Sequence, residues 1–268
     1  MPTLTSRARS KSTTAQEKWA AQLADWAIPQ HILDRAPESP WGFPPSLFRP
    51  SEERQNPAHR RVLEVLPASG SVLDVGAGGG ASSLPLAGHA GVIVALDESA
   101  AMLETFSREA DRLGVDHREV QGSWPEVSAE APPVDVVICG NVFYNVAALA
   151  PFALALARYA GTRVVAELTA RHPQVALNHL WRHFHDLDRP EGPTCEEALA
   201  VLVEAGIDAH LERWKRTPPD RSRTRPELVA FVRRRLCLPQ ERDSEINELL
   251  GERAVLQPGD MATMWWDV

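Results

Sequence analysis

Short apolar runs alternate with helix-like patterns along most of the chain. The runs that predict strands span residues 71–75, 92–96, 117–121, 134–139 and 163–168. Between them, apolar side chains recur at helical intervals over residues 81–86, 99–113 and 146–160. Such alternation is typical of βα units, so we predict an α/β fold: a doubly wound, mostly parallel sheet with helices on both faces.

The pattern continues towards the C-terminus. Thr194 and Glu197 have the spacing of a capping box, which predicts a helix that Gly206 ends. Two further strands are expected, at residues 207–214 and 260–266.

The first part of the chain differs from the rest. Residues 14–27 place Trp19, Leu23 and Trp26 at helical intervals behind Thr14, or Thr13, as a possible cap. Prolines then recur up to residue 57, and regular structure needs the N–H group that proline lacks. The aromatic content of this stretch favours an arm folded over the core, with a free linker as the alternative.

We therefore predict that the chain consists of two structural parts. Residues 1–57 form an N-terminal helix and a proline-rich arm, and residues 58–268 form the main domain, with insertions at 169–193 and 217–258. We hypothesise that the arm and the first insertion close as a lid over a bound ligand.

Composition narrows the choice of partners. The chain of 268 residues has a formal net charge of −8, which disfavours nonspecific attraction to nucleic acid. No window approaches the roughly 20 apolar residues of a membrane helix, so no membrane contact is expected. Cys139, Cys195 and Cys237 lie far apart, as in a protein of the reducing cytoplasm. The sequence specifies no oligomeric state.

A glycine-rich turn follows the first strand. It reads Asp74-x-Gly76-x-Gly78-x-Gly80, and glycine lets backbone N–H groups approach a ligand closely. The glycines also satisfy a relaxed dinucleotide fingerprint, so an NAD-dependent oxidoreductase is one interpretation. Asp74 argues against it, because a carboxylate there would repel a pyrophosphate but attract a cationic ligand. Asp97, which ends the second strand, can bind both hydroxyls of a ribose in either case.

With Asp97, this motif resembles the class I methyltransferases that use S-adenosylmethionine (SAM). The resemblance implies a seven-stranded sheet with an antiparallel last strand, transfer of a methyl group, and S-adenosylhomocysteine (SAH) as product. The cofactor-binding residues that it implies are Asp74, Gly76, Ala77, Gly78, Gly80, Asp97, Glu98, Met102, Gly122, Ser123, Trp124, Asn141 and Val142.

Two of these positions depart from the family or admit another role. Ser123 stands where the family often has an acidic residue for the adenine amino group. Trp124 either stacks on the adenine or packs as an ordinary core aromatic. Asn141 and Tyr144 follow the fourth strand, where polar side chains face the ligand crevice; the alternative for Asn141 is a helix cap.

Candidates for acceptor chemistry lie mainly in the first insertion. It holds four histidines, and imidazole can accept a proton near neutral pH. The catalytic candidates are His183 and His185 in this insertion, and Tyr144 and Glu167 before it. His179 and His183 have metal-ligand spacing but no matched carboxylate, so no metal is predicted. The alternative is a packing stripe of apolar residues with solvated histidines.

The acceptor itself is expected to be a small molecule methylated on oxygen or nitrogen. An arginine-rich stretch at residues 213–235 is either a solvated surface or a site for an anionic metabolite or RNA, and the acidic net charge ranks RNA lower. The Asn141-Val142-Phe143-Tyr144 sequence matches DNA methyltransferases poorly, so DNA is not expected. A noncatalytic SAM-binding module is a further alternative.

Overall fold

A seven-stranded sheet forms the centre of the protein. The computed structural model describes residues 13–41, 56–216, 224–252 and 259–268. The strands are β1 (Ser71–Val75), β2 (Val92–Asp97), β3 (Asp116–Gln121), β4 (Val134–Gly140), β5 (Ala160–Thr169), β6 (His210–Lys215) and β7 (Asp260–Asp267). Their order is β3-β2-β1-β4-β5-β7-β6, and β7 alone runs antiparallel to its neighbours. The predicted fold class is confirmed.

Helices surround the sheet on both faces. They are α1 (Ala15–Ala24), α2 (Gln30–Leu33), α3 (Pro57–Leu63), α4 (Ala100–Leu113), α5 (Leu149–Tyr159), α6 (Asn178–His185), α7 (Cys195–Glu204), α8 (Arg225–Arg235) and α9 (Asp243–Leu250). The capping box expected at Thr194 forms, and Thr14, one of the two cap candidates, caps α1 with a capping box as well. No helix in the described part of the chain has both the length and the apolarity needed to span a bilayer.

The predicted helix over residues 81–86 is wrong. Only Leu84–Leu86 form a short 3-10 helix, and turns precede it. Pro85 lies inside the predicted range and has no N–H to donate, so a helix over these residues would lack that hydrogen bond. The chain therefore crosses from β1 to β2 with little regular structure.

The first helix is part of the core. Trp19 of α1 is fully buried between α5 and α7, and its indole Nε1 donates to the Val146 carbonyl at 2.8 Å. The hypothesis of a mobile arm therefore concerns the chain after this helix. Residues 42–55, which belong to the predicted arm, lie outside the described residues.

A second apolar cluster joins α2, α6, α8 and α9, which we call the helical cap. Leu180 and Trp181 of α6 are buried in it, as the packing stripe predicted. The cap is attached to the ends of β5 and β6 and to the start of β7. Thr169 pairs with Met261 and Lys215 with Asp260, so these attachments lie at the carboxyl edge of the parallel strands, where open α/β sheets bind ligands.

Candidate functional site

The glycine-rich turn lies directly beside the segment that follows β4. Gly76, Gly78 and Gly80 have φ angles of 73°, 54° and 87°, which side-chain-bearing residues rarely adopt. The amides of Gly76 and Ala77 both donate to the Leu96 carbonyl, which ties the turn to β2. A Cβ atom at Gly76 would lie 2.6 Å from Cγ2 of Val142, so glycine is required for this approach.

Asp97 is held in place by two backbone amides. Its Oδ2 accepts a hydrogen bond from Gly78 N at 2.9 Å, and its Oδ1 accepts one from Ser99 N at 2.9 Å. Each carboxylate oxygen has further lone pairs. The side chain is thus preorganised to accept hydrogen bonds from a pair of hydroxyl groups.

Asp74 is a fully buried carboxyl group beneath the turn. Burial raises its pKa to about 7; the Ser83 hydroxyl opposes this shift and the charge of Asp97 adds to it. Neither of its oxygens accepts a hydrogen bond of normal geometry from the described residues. A buried carboxyl group in this state is costly, and a ligand with an ammonium group would compensate it.

A carboxylate lies beside the segment that follows β3. The Ser123 hydroxyl donates to Oε1 of Glu98, which follows β2, at 2.6 Å, so an acidic group lies next to position 123. Trp124 is buried in the main core and contacts Tyr159 edge-to-face, with ring centroids 4.9 Å apart. This environment favours the packing interpretation of Trp124 over stacking on adenine. Met102 lies half-buried in the first turn of α4.

The two polar residues expected after β4 have different positions. Asn141 has an exposed side chain and a φ angle of 59°, and its backbone N–H donates to the Glu167 backbone carbonyl at 2.7 Å. It does not cap a helix, because the residue before α5 is Ala148. A non-glycine residue at positive φ is a strained conformation that is concentrated at functional sites.

Tyr144, in contrast, points into the protein interior. Its hydroxyl donates to the Thr169 carbonyl at 2.7 Å, and its ring lies 5.6 Å from that of Trp19. Burial raises the pKa of this phenol far above its ordinary value. The expected catalytic role is not supported by this position, since the hydroxyl is buried and already engaged.

Glu167 is the catalytic candidate that the structure places at the crevice. It lies near the end of β5 and pairs with Gly140 of β4. Arg216 Nη2 donates to its Oε1 at 2.8 Å, and the amide of Asn56 donates to its Oε2. The carboxylate is largely buried, so these two donors fix its orientation.

The histidines of the insertion are distributed over the helical cap. His183 Nε2 contacts Glu245 Oε1 of α9 at 2.7 Å, and His185 Nε2 donates to the Leu236 carbonyl at 2.7 Å. Burial lowers the pKa of His185. These contacts connect helices within the cap, so the geometry favours the structural alternative for both residues over the catalytic one.

His172 is also removed from solvent. Its ring stacks on Trp26 with centroids 4.0 Å apart, and burial lowers its pKa to about 3. In the described ranges, no group of three or more histidine, cysteine or acidic side chains could hold a metal ion.

One family model matches the chain, and its description is a methyltransferase domain. It covers residues 72–161, from β1 into the start of β5, and so includes the glycine-rich turn and Asp97. This part of the chain is thus similar to a methyltransferase domain, in line with its resemblance to the class I SAM-dependent methyltransferases. The match agrees with the expectation that S-adenosylmethionine is the cofactor and SAH the product.

Solved structures share the fold of this chain. The YcgJ protein of Bacillus subtilis is 18% identical, with a TM-score of 0.51 over 78% of this chain and 97% of its own. A proposed sarcosine dimethylglycine methyltransferase of Galdieria sulphuraria is 15% identical, with a TM-score of 0.52 over 78% of this chain and 82% of its own. A protein from work on the conversion of a disulfide bond into a thioacetal group in echinomycin biosynthesis is 21% identical, with a TM-score of 0.50 over 69% of this chain and 80% of its own. No curated protein matches the sequence.

The arginine-rich stretch is largely engaged in contacts with its own chain. Arg221 and Arg223 lie outside the described residues. Partners of the others include Glu196 for Arg213, Glu167 for Arg216, Asn247 for Arg225, Asp243 and Glu38 for Arg233, and Glu38 for Arg234. Arginines paired in this way support the structural alternative more than the recognition of an anion or of RNA.

Two residues at the site were missed by the sequence analysis. Asn56 and His59, in the first turn of α3, contact Glu167 and the Ser82 carbonyl respectively. The Asn56-Pro57 pair is a signal for a helix start, because asparagine is a favoured cap and proline a favoured first residue. Nothing in the local sequence indicates which distant groups the two side chains meet.

Proposed function

We propose that the chain transfers the methyl group of SAM to an oxygen or nitrogen atom of a small-molecule acceptor. The observation that carries the cofactor assignment is the pair of aspartates at the glycine-rich turn. Asp97 has free lone pairs at a fixed position for the ribose hydroxyls, and the buried Asp74 would pair with the amino group of the methionine part. Glu98 and Ser123 would contact the adenine.

SAM supplies an electrophilic methyl group on a positively charged sulfur atom. The protein's task is then to align an acceptor lone pair with that group and to exclude water, because orientation supplies much of the rate enhancement in such a displacement. The turn, Asn141 and Val142 would hold the cofactor from the sheet side, and the helical cap would cover the crevice.

Glu167 is the residue proposed to orient the acceptor. Its side chain accepts hydrogen bonds from Arg216 and Asn56, which fix its direction. A carboxyl oxygen at this edge can accept a hydrogen bond from an acceptor hydroxyl or amine and so direct its lone pair. Tyr144 and His185 are not retained in this role, because each is engaged inside the fold. His183 is not retained either, because it is paired with Glu245 at the surface of the helical cap.

A small acceptor is favoured over RNA by the charge of the protein. The net charge of −8 opposes attraction to a phosphate backbone, and the described part of the arginine-rich stretch is paired with carboxylates or amides. Turnover of any acceptor would separate this proposal from a noncatalytic SAM-binding module.

The test is methyl labelling of a fractionated cell extract. The protein is incubated with SAM that carries an isotopically labelled methyl group and with three fractions: small molecules, RNA and protein. We expect label in the small-molecule fraction, identified by mass spectrometry, and less label with Asp97→Ala at the same protein concentration and a SAM concentration below saturation. Label that enters the RNA fraction and is released by ribonuclease would replace the small-molecule proposal with RNA methylation.

A further inference from the structure

The segment after the glycine-rich turn has no regular helix to hold it. Between Gly80 and Gly88 the only regular element is the 3-10 helix Leu84–Leu86, so most backbone groups lack the i to i+4 pattern of an α-helix. This segment carries Ser83, which lies by Asp74. Its position must therefore come from contacts with other elements.

His59 provides one such contact. The residue is buried in the first turn of α3, and its Nε2 lies 3.0 Å from the Ser82 carbonyl oxygen. Its Nδ1 lies 3.2 Å from the backbone N–H of Asn56. A carbonyl can only accept and an amide N–H can only donate, so the ring is neutral and carries its proton on Nε2.

The same helical turn also contacts the acceptor side of the crevice. The Asn56 side chain caps α3 by accepting from the amide of His59, and its own amide donates to Glu167. His59 and Asn56 are thus joined by two hydrogen bonds, each from a backbone N–H of one residue to the side chain of the other. His59 also contacts Ser82 on the cofactor side, and Asn56 also contacts the Glu167 carboxylate near the end of β5.

Ser82 is confined from the opposite side as well. A Cβ atom at Gly140 would lie 1.9 Å from the Ser82 Oγ, so the serine packs directly on the backbone at the end of β4. The segment is thus held between β4 and α3, and His59 is its polar contact on the α3 side.

We propose that His59 is a positioning residue for methyl transfer, which fixes the cofactor-binding segment through Ser82 and the Glu167 carboxylate through Asn56. This inference rests on the proposed assignment of the Asp74–Gly80 turn to the cofactor. It differs from an ordinary role in packing, because it requires the hydrogen bond to Ser82 and not merely the volume of the ring.

Three variants separate the two roles. His59→Asn places an oxygen near the position of Nδ1 and keeps the contact with Asn56, but it loses the donor to Ser82. His59→Gln places its amide near the position of Nε2 and keeps that donor. Val62→Ala is the matched control, because Val62 is fully buried on the same helix and contributes only apolar packing.

The measurements are SAH affinity by calorimetry, the thermal midpoint, and hydrogen exchange of residues 77–87. We expect His59→Asn to weaken SAH binding by about tenfold or more, and His59→Gln and Val62→Ala by less than about threefold. Val62→Ala should lower the thermal midpoint at least as much as His59→Asn. Faster exchange confined to residues 77–87 is expected in His59→Asn alone.

Unchanged SAH affinity in His59→Asn would overturn the proposal, as would an equal loss of affinity in Val62→Ala. If His59→Asn does not fold, Gly140→Ala tests the same segment from the other side. The added methyl group must displace Ser82, so a folded Gly140→Ala protein with normal SAH affinity would also overturn the proposal. Failure of the unmodified protein to bind SAH would instead contradict the proposed function itself.

Discussion

The Oδ2 atom of Asp97 lies 2.9 Å from the backbone nitrogen of Gly78. The residue that ends β2 is therefore bonded directly to the glycine-rich turn that follows β1. Asp97 therefore holds the turn, and under the proposed function its remaining lone pairs accept hydrogen bonds from a ribose.

Removing this carboxylate should weaken cofactor binding. We expect Asp97→Ala to lose about 1–3 kcal/mol of SAH binding free energy, the range for a charge-assisted hydrogen-bond partner. Calorimetry measures it, and Asp116→Ala, on the exposed edge strand β3, is the control that should bind normally. Equal affinities in Asp97→Ala and the unmodified protein would remove Asp97 from the site.

Gly78 should be essential for binding but not for folding. Gly78 and Gly114 have φ angles of 54° and 68°, so valine is strained at both positions, by about 1–2 kcal/mol in the left-handed region. The Gly114 position faces open space. We therefore expect both substitutions to lower the thermal midpoint and only Gly78→Val to abolish SAH binding. Loss of binding in both, or in neither, would show that the turn does not contact the cofactor.

The raised pKa of Asp74 predicts that the stability of the folded protein depends on pH. Its pKa is raised from 3.8 to about 7 in the folded protein, so the unfolded chain releases the proton first as pH rises. The contribution of Asp74 is then most favourable below about pH 4 and is lost progressively up to about pH 7. Thermal midpoints of the unmodified protein and Asp74→Asn should diverge across this window, with the variant becoming relatively more stable.

Cofactor binding should have the opposite dependence on pH. An ammonium group pairs with ionised Asp74, so SAH binding near pH 6 should release a proton and should weaken as the pH falls. Calorimetry in two buffers of different ionisation enthalpy measures the released proton. Asp74→Asn is expected to bind more weakly and to release none; the same proton release in this variant would assign it to another group.

His117 should stabilise the protein at acidic pH. Burial lowers its pKa, but hydrogen bonds with Asp111 and Glu119 outweigh that effect, so the net pKa is raised. The contribution is complete below about pH 6.5 and is lost as the pH rises through the higher folded value. We expect His117→Gln to cost less than about 1 kcal/mol at pH 5.5 and still less at pH 8, measured by denaturant unfolding. A difference that grows with pH would contradict the contact with the two carboxylates.

Trp19 should be a determinant of folding. Its side chain is fully buried and its indole donates to Val146, so Trp19→Ala leaves both a cavity and an unpaired carbonyl. We expect a loss of about 3–5 kcal/mol in unfolding free energy, with retained SAH affinity in the protein that remains folded. A loss below about 1 kcal/mol would mean that α1 is only loosely attached to the core.

The sequence predicted the sheet well because its signals are local. Apolar runs mark each strand, and the glycine-rich turn with Asp97 marks the crevice. The wrong prediction at residues 81–86 has a local cause as well: apolar spacing outweighed Pro85, which has no N–H to donate within a helix over these residues.

The acceptor side could not be predicted in the same way, because its contacts join distant parts of the chain. His183 contacts Glu245, which is 62 residues away in the sequence, and Asn56 contacts Glu167, which is 111 residues away. Tyr144 follows β4, where polar side chains are expected to face the ligand crevice. Its hydroxyl instead donates to the Thr169 carbonyl in the interior. Pattern and spacing identify such residue types, whereas their partners depend on how the cap and α3 pack.

The most direct test of the account is a crystal structure of the protein with SAH bound. We predict the ribose hydroxyls within hydrogen-bond distance of the Asp97 carboxylate, about 2.6–3.2 Å, and the amino group of the ligand on the Asp74 side of the turn. SAH bound away from the glycine-rich turn, or at the turn with its ribose remote from Asp97, would contradict the account.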